Sequence, residues 1–177
     1  MKKVAVFGKP GSGKSTLSKK LASATGIKLY ALDSILYKEN GEEIDRQNYV
    51  EAHESIISSE AWIIEGFGPI NSLNSFNRRI EEADTLIYIE LPYSTTYWLV
   101  TKRFLKGLFV KPEGWPDGSS VLKGTLESYK VLKLCPKFWN DGFLQRLEKQ
   151  SANKSLHVVR SISELNSFVE RNVDKCI

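Results

Sequence analysis

Residues 8–15 read Gly-Lys-Pro-Gly-Ser-Gly-Lys-Ser and match the pattern G-x-x-x-x-G-K-[ST] at every fixed position. Glycines at this spacing let the backbone curl its N–H groups around a phosphate, and a helix beginning near Lys14 would point its positive end at the same anion. Lys14 would reach the β and γ phosphates, and the Ser15 hydroxyl would ligate Mg²⁺. This P-loop predicts a site for a nucleoside triphosphate and Mg²⁺ formed by Gly8, Lys9, Pro10, Gly11, Ser12, Gly13, Lys14, Ser15 and Thr16.

Two other classes of nucleotide-binding protein do not fit the sequence. A dinucleotide site needs G-x-G-x-x-G, whereas the glycines at 8, 11 and 13 give G-x-x-G-x-G. A small GTPase should carry Asp-x-x-Gly and Asn-Lys-x-Asp. No Asp is followed three residues later by Gly, and residues 153–156 read Asn-Lys-Ser-Leu. The P-loop therefore favours phosphoryl transfer by another class of enzyme.

Phosphoryl transfer at a P-loop also needs a carboxylate that holds Mg²⁺ or its water. Glu65 ends the apolar run 62–65 and is our candidate, with an ordinary surface carboxylate as the alternative. Asp33 follows the run 27–32 and could bind a substrate hydroxyl or act as its base, or it could cap the next segment. Asp84 precedes its strand, so we expect it at the opposite edge of the sheet and exclude it.

Three arginines are candidates for contacts with the reacting phosphates or the acceptor. Arg78 and Arg79 could bind an acceptor phosphate through paired hydrogen bonds. Adjacent residues on a helix point in different directions, so we expect at most one of them to serve. Arg103 lies near a glycine-rich segment and is expected to neutralise charge on the transferred group.

The hydrophobic pattern predicts alternating strands and helices. Short apolar runs typical of buried parallel strands lie at 4–7, 27–32, 62–65, 85–91 and 155–159. Helical spacing occurs at 14–24, 45–59 and 97–106, and a capping box opens a last helix at 161–164. Such alternation predicts a single domain over 1–177 with a three-layer α/β/α fold around a five-stranded parallel sheet. Residues 107–124 break the pattern with four glycines and two prolines, so we expect a flexible lid insertion that includes Trp115.

The composition excludes several other classes of protein. The 177 residues are 41% hydrophobic and 26% charged, which disfavours disorder and a coiled-coil rod. The apolar runs are too short for a membrane helix, and Gly8 comes too early for the apolar core of a signal peptide. Cys135 and Cys176 lie far apart with no CxxC pattern, which disfavours a zinc site. We therefore expect a reduced, cytoplasmic protein without a membrane partner.

Positive charge is concentrated in one segment. Residues 102–137 hold eight Lys or Arg and three Asp or Glu, so this segment carries +5 while the whole chain carries +4. The segment is either a solvated basic face or a surface that attracts an anionic partner such as nucleic acid, for which the sequence carries no helix-turn-helix, zinc-finger or RNA-binding motif.

Several segments together resemble the small P-loop kinases related to adenylate kinase and, more narrowly, the topology modulation protein group. These segments read GKPGSGKSTLSKKLA, LDSILY, WIIEGF, RRIEEADTLIYIELP and TKRF. The resemblance covers residues 1 to 105 and implies ATP and Mg²⁺ as cofactors, with a nucleotide, nucleoside or similar hydroxyl compound as acceptor. It also implies that Glu65 stands where these families usually carry Asp. Arg78 or Arg79, and Arg103, would match their basic substrate and lid positions.

The sequence also departs from this family. Nucleoside monophosphate kinases carry Asp-Gly-Phe-Pro-Arg after the third strand, whereas residues 65–70 here read Glu-Gly-Phe-Gly-Pro-Ile. The arginine that would hold the acceptor phosphate is missing there, so ordinary adenylate kinase activity is not expected. The alternative is a nucleotide-binding regulatory protein with weak or no kinase activity that contacts nucleic acid.

Overall fold

The protein is described by a computed structural model over residues 1–36, 43–67, 72–107, 109 and 121–172. These residues contain a five-stranded sheet with the order β2-β3-β1-β4-β5, and every neighbouring pair is parallel. The strands are β1 (Lys3–Gly8), β2 (Leu29–Ala31), β3 (Trp62–Glu65), β4 (Thr85–Ile89) and β5 (Ser155–Val159). The predicted five-stranded parallel sheet is confirmed.

The helices begin and end largely at residues suited to these positions. Gly26, in the left-handed conformation with φ 69°, ends the first helix, and the Asn140 side chain accepts a hydrogen bond from Phe143 N at the start of the seventh. The helices are α1 (Lys14–Thr25), α2 (Leu32–Leu36), α3 (Arg46–Ile57), α4 (Leu73–Glu82), α5 (Tyr93–Gly107), α6 (Val121–Phe138), α7 (Asp141–Gln150) and α8 (Ile162–Asn172). None of them, within the described residues, is long and apolar enough to cross a membrane.

Helices cover both faces of the sheet because alternate strand residues point to opposite sides. Val4 and Val6 of β1 pack with residues of α1 and α8, whereas Ala5 and Phe7 belong to a second apolar cluster. Trp139 lies in this second cluster, with its ring centre 5.9 Å from that of Phe7. The cluster also includes residues of α3, α4, α6 and α7. The resulting three-layer α/β/α arrangement is the predicted one.

Some predicted boundaries were wrong. The strand expected over 27–32 is shorter, and Asp33 lies in the first turn of α2 rather than at a strand end. No helix was predicted for residues 125–154, which α7 and most of α6 occupy. Residues 121–124 of the expected lid belong to α6. The rest of the lid, including Trp115, lies outside the described residues except for Gly107 and Phe109.

Candidate active site

The P-loop connects β1 to α1 at the carboxyl edge of the sheet. Gly8 pairs with Ile89 of β4 and has a φ of 144°, and a Cβ here would lie 2.3 Å from the Ile89 carbonyl oxygen. Gly11 has a φ of 73°, and its Cβ would lie 2.7 Å from Cγ2 of Val100 in α5. Because only glycine fits these two contacts, the motif's glycines allow the loop to pack directly against β4 and α5.

The ammonium group of Lys14 contacts the backbone of the P-loop. Its Nζ donates a hydrogen bond to the Lys9 carbonyl oxygen over 2.8 Å. Burial lowers the pKa of Lys14, while the nearby carboxylates of Glu65 and Asp33 act in the opposite direction. The structure therefore brings three of the predicted site residues into one electrostatic cluster.

Lys9 has a different environment from Lys14, although both belong to the P-loop. Its side chain is buried, and its Nζ donates to the Leu91 carbonyl oxygen over 2.7 Å. The same ammonium lies 4.7 Å from the centre of the Tyr93 ring. The Lys9 side chain thus holds the loop against Leu91 and against Tyr93 at the start of α5.

Other loop residues are divided between structural and exposed positions. Ser12 is buried and its backbone N–H donates to the Lys9 carbonyl over 3.3 Å. Pro10 is half-buried, and Thr16, which follows the loop, is exposed at the start of α1. Gly13 precedes α1 in the left-handed conformation with φ 88°. The N-terminus of α1 is therefore open at the same edge as the Lys14 side chain.

Glu65 lies beside the P-loop at the end of β3. The Ser15 Oγ donates a hydrogen bond to Glu65 Oε1 over 3.0 Å. Glu65 is 6% exposed, and burial raises its pKa while Lys14 and the Ser15 hydrogen bond oppose that shift. The sequence could place these two residues only on neighbouring elements, whereas the structure brings their oxygens into direct contact.

The Ser15–Glu65 pair fits a magnesium ion. Mg²⁺ prefers oxygen ligands and usually keeps several of its positions for phosphates and water, so one or two protein oxygens suffice. Ser15 and Glu65 supply a hydroxyl and a carboxylate at one point. Within the described residues no group of three or more His, Cys, Asp or Glu could hold a metal, so a site made of protein ligands alone is not present there.

Asp33 and Arg103 approach the P-loop from two elements. Asp33 is exposed on α2 and interacts electrostatically with Lys14, Glu65 and Arg103. Arg103 lies on α5, where its Nη2 donates to the Oγ of Ser128 over 2.9 Å. Burial lowers the pKa of Arg103 and the Asp33 carboxylate raises it. Both residues therefore lie within electrostatic range of the loop that should hold the phosphates.

Arg78 and Arg79 have opposite environments on α4. Arg78 is exposed and forms ion pairs with Glu54, Glu81 and Glu82 at 3.8, 3.6 and 3.3 Å. Arg79 is 0% exposed, and burial lowers its pKa to about 10. The structure thus separates two residues that the sequence could not distinguish.

Tyr49 and His53 of α3 lie near Arg79 and were not among the predicted site residues. Both are buried and interact electrostatically with Arg79. Burial, followed by the charges of Arg79 and Arg78, lowers the pKa of His53 to about 4. Their spacing of four residues indicates a buried helix face, but no sequence signal shows that α3 lies next to Arg79.

The sheet order, the helices on both faces and the loop after the first strand make an α/β fold that two solved kinase structures share. Among similar solved structures, a shikimate kinase from Acinetobacter baumannii in complex with shikimate has a TM-score of 0.59 and 14% identity over 97% of this chain and 90% of that chain. A gluconokinase from Sinorhizobium meliloti 1021 has a TM-score of 0.51 and 18% identity over 98% of this chain and 94% of that chain. No family model and no curated protein matches the sequence.

Proposed function

We propose that this protein is an ATP- and Mg²⁺-dependent kinase that phosphorylates a hydroxyl group of a small acceptor. The observation that carries the proposal is the 3.0 Å contact between Ser15 Oγ and Glu65 Oε1 beside a complete P-loop. A strand-end carboxylate with only a surface role would not need to be buried against the hydroxyl that the motif assigns to Mg²⁺. The similar shikimate kinase and gluconokinase structures support a small acceptor.

Each residue of the site has a distinct part in this proposal. The backbone N–H groups of the P-loop and the ammonium of Lys14 would bind the β and γ phosphates. Ser15 and Glu65 would hold Mg²⁺, which, when bound, neutralises charge on the phosphate oxygens. Arg103, which lies within electrostatic range of Lys14 and Asp33, would stabilise the negative charge on the transferred phosphoryl group.

The acceptor would react at the side of the site where Asp33 lies. The acceptor oxygen forms a bond to the γ-phosphorus, and the bond from that phosphorus to the β–γ bridging oxygen breaks, which leaves ADP. Asp33 is placed to accept the proton released by the hydroxyl. Its exposure and its proximity to Lys14 and Glu65 support this role.

Two finer assignments belong to the same proposal. We place the chain nearest the topology modulation protein group because of the segments WIIEGF and RRIEEADTLIYIELP. We also propose a cytoplasmic location, supported by the free thiol of Cys135, because reducing compartments keep thiols unpaired. Burial raises the pKa of this thiol to about 11, so it is not expected to react.

The test is a screen for ADP release from ATP in the presence of nucleosides, nucleotides and small hydroxy compounds, with and without Mg²⁺. We expect at least one compound to raise ADP release above the rate with ATP alone, and we expect that increase to require Mg²⁺. If ATP binds but no compound in the screen raises ADP release, the kinase proposal is contradicted and the regulatory alternative is favoured.

A further inference from the structure

Arg103 of α5 is held by a side chain of α6. Its Nη2 donates a hydrogen bond to the Oγ of Ser128 over 2.9 Å, and both residues are half-buried. An arginine side chain has many rotamers, so ordering its guanidinium costs free energy unless a neighbouring group fixes it. The hydrogen bond to Ser128 therefore limits where the guanidinium of Arg103 can lie.

The hydroxyl group of Ser128 is itself fixed by its own helix. Its Oγ donates a hydrogen bond over 2.9 Å to the carbonyl oxygen of Gly124, one turn earlier in α6. A serine hydroxyl has one hydrogen to donate and two lone pairs that accept. Because the hydrogen is used for Gly124, the lone pairs remain for the guanidinium of Arg103. The two hydrogen bonds are therefore compatible and hold the oxygen in one orientation.

Ser128 can orient the guanidinium of Arg103 without neutralising its charge. A carboxylate in the place of Ser128 would also accept the hydrogen bond, but it would oppose the positive charge that acts on a phosphate. Arg103 interacts electrostatically with Asp33 of α2 and with Lys14 of the P-loop. The neutral hydroxyl of Ser128 thus leaves the charge of Arg103 available to a phosphate bound beside Lys14.

A second set of contacts joins the same two helices. The Oγ1 of Thr101 and the hydroxyl of Tyr129 are 2.6 Å apart, and the rings of Tyr97 and Tyr129 are stacked with their centres 5.7 Å apart. These contacts hold α5 against α6 without involving Arg103. Loss of the Ser128 hydroxyl should therefore release the guanidinium while the two helices stay packed.

We propose that Ser128 is a positioning residue for phosphoryl transfer, which holds the guanidinium of Arg103 against the transferred phosphoryl group. The inference rests on the proposed function and adds to it a residue that acts only through Arg103. A cation that is already oriented needs no reorganisation as the transition state forms. The contribution of Ser128 should therefore appear in kcat rather than in the binding of the nucleotide.

Four substitutions separate the positioning of Arg103 from the packing of α6. Ser128→Ala removes the hydroxyl, and Ser128→Thr keeps it. Ser128→Asp keeps an acceptor for the guanidinium but opposes its charge. Tyr129→Phe is the matched control, because it removes the other hydrogen bond between α5 and α6 and leaves the one to Arg103 in place.

The probe is the Mg²⁺ complex of ADP, with and without aluminium fluoride, which takes the place of the transferred phosphoryl group. The readout is the factor by which aluminium fluoride raises the affinity for ADP in calorimetry, and it needs no acceptor. We expect this factor to be about tenfold smaller in Ser128→Ala and Ser128→Asp than in wild type. Ser128→Thr and Tyr129→Phe should keep the wild-type factor, and the affinity for ADP alone should be the same in all variants.

Turnover gives a second readout once the screen has supplied an acceptor. Ser128→Ala should lower kcat by a similar factor and leave the KM for ATP unchanged. In the Arg103→Met background, Ser128→Ala should have no further effect on kcat, because the residue through which it acts is gone. An equal decrease in both backgrounds would show that Ser128 does not act through Arg103 and would overturn the inference.

The inference is also overturned if Ser128→Ala keeps the wild-type factor, or if aluminium fluoride does not raise the affinity of wild type for ADP. A decrease in Tyr129→Phe as large as that in Ser128→Ala would show that only the packing of α5 and α6 matters. If Ser128→Ala does not fold, equal factors for Ser128→Thr and Ser128→Asp have the same meaning. Failure of ADP and Mg²⁺ to bind would contradict the proposed nucleotide site as well, whereas equal factors would contradict only the role of Ser128.

Discussion

The two sides of Glu65 differ in how their polar groups are satisfied. On the P-loop side, Ser15 is bonded to Glu65, Lys14 to the Lys9 carbonyl, and Lys9 to the carbonyl of Leu91. On the α3–α4 side, Arg79 and the Nδ1 of His53 are buried without hydrogen-bond partners among the described residues. The P-loop side is therefore held in place by the chain itself, whereas the α3–α4 side holds buried polar atoms without a hydrogen-bond partner among the described residues.

This difference indicates what the P-loop side would contribute to the proposed kinase. A preformed phosphate site needs no reorganisation when charge develops during transfer, which is where most of the catalytic effect arises. The P-loop side would therefore determine the rate of phosphoryl transfer.

Of these substitutions, the one at Glu65 is expected to lower kcat most. Glu65→Gln keeps the size of the side chain and removes the charge that would help to hold Mg²⁺, so we expect kcat to fall by about 10²–10³-fold with little change in ATP affinity. Steady-state ADP release at saturating Mg²⁺ measures kcat, and calorimetry measures ATP binding. Exposed Glu60→Gln is the control. A normal kcat for Glu65→Gln would make Glu65 a structural residue and Asp33 the next carboxylate to test.

The next largest decrease in kcat is expected on substitution of Arg103. Arg103→Met should lower kcat by about 10²-fold because it removes a cation near the transferred group. The neighbouring Lys102→Met is the control, since Lys102 is exposed on the same helix and should change kcat little. Equal effects of the two substitutions would show that only the overall charge of α5 matters.

The P-loop side of Glu65 was predictable from sequence because its residues are contiguous or end a recognisable strand. The spacing of residues 8–15 specified the P-loop, and the apolar run before Glu65 placed that carboxylate at the correct edge. The cluster of Tyr49, His53 and Arg79 was not predictable, since its members come from α3 and α4 and are brought together only by helix packing. The sequence did suggest that Arg78 and Arg79 point in different directions, but which one is buried depends on how α4 packs against α3.

A smaller effect concerns the pH dependence of stability. The pKa of His53 falls from 6.5 in the unfolded chain to about 4 in the folded protein, so the unfolded state takes up the proton first as pH falls. His53 thus contributes a loss of stability between pH 6.5 and about 4, on the order of 2–3 kcal/mol. Urea unfolding near neutral and near pH 4.5 should show this loss reduced in His53→Gln. An unchanged pH dependence would mean that His53 is not desolvated beside Arg79.

The smallest effect expected is a gain in stability on removal of the Arg79 charge. Arg79→Met should raise the free energy of unfolding by about 1–2 kcal/mol in buffer without phosphate or carboxylate, because an unpaired buried charge is replaced by an apolar side chain. Arg78→Met, which breaks exposed ion pairs, should change it by less than about 1 kcal/mol. Urea unfolding measures both. A marked loss of stability in Arg79→Met would indicate that the guanidinium is satisfied within the protein.

The most direct test of the central claim is to compare ADP release by Lys14→Ala with that by Lys20→Ala. Both lysines lie on α1. Lys20 is exposed to solvent, whereas the ammonium of Lys14 is hydrogen-bonded to the backbone of the P-loop. If phosphoryl transfer takes place at the P-loop, Lys14→Ala should lower ADP release by about 10³-fold, and Lys20→Ala should retain the wild-type rate. Undiminished turnover in a folded Lys14→Ala protein would contradict the assignment of the active site.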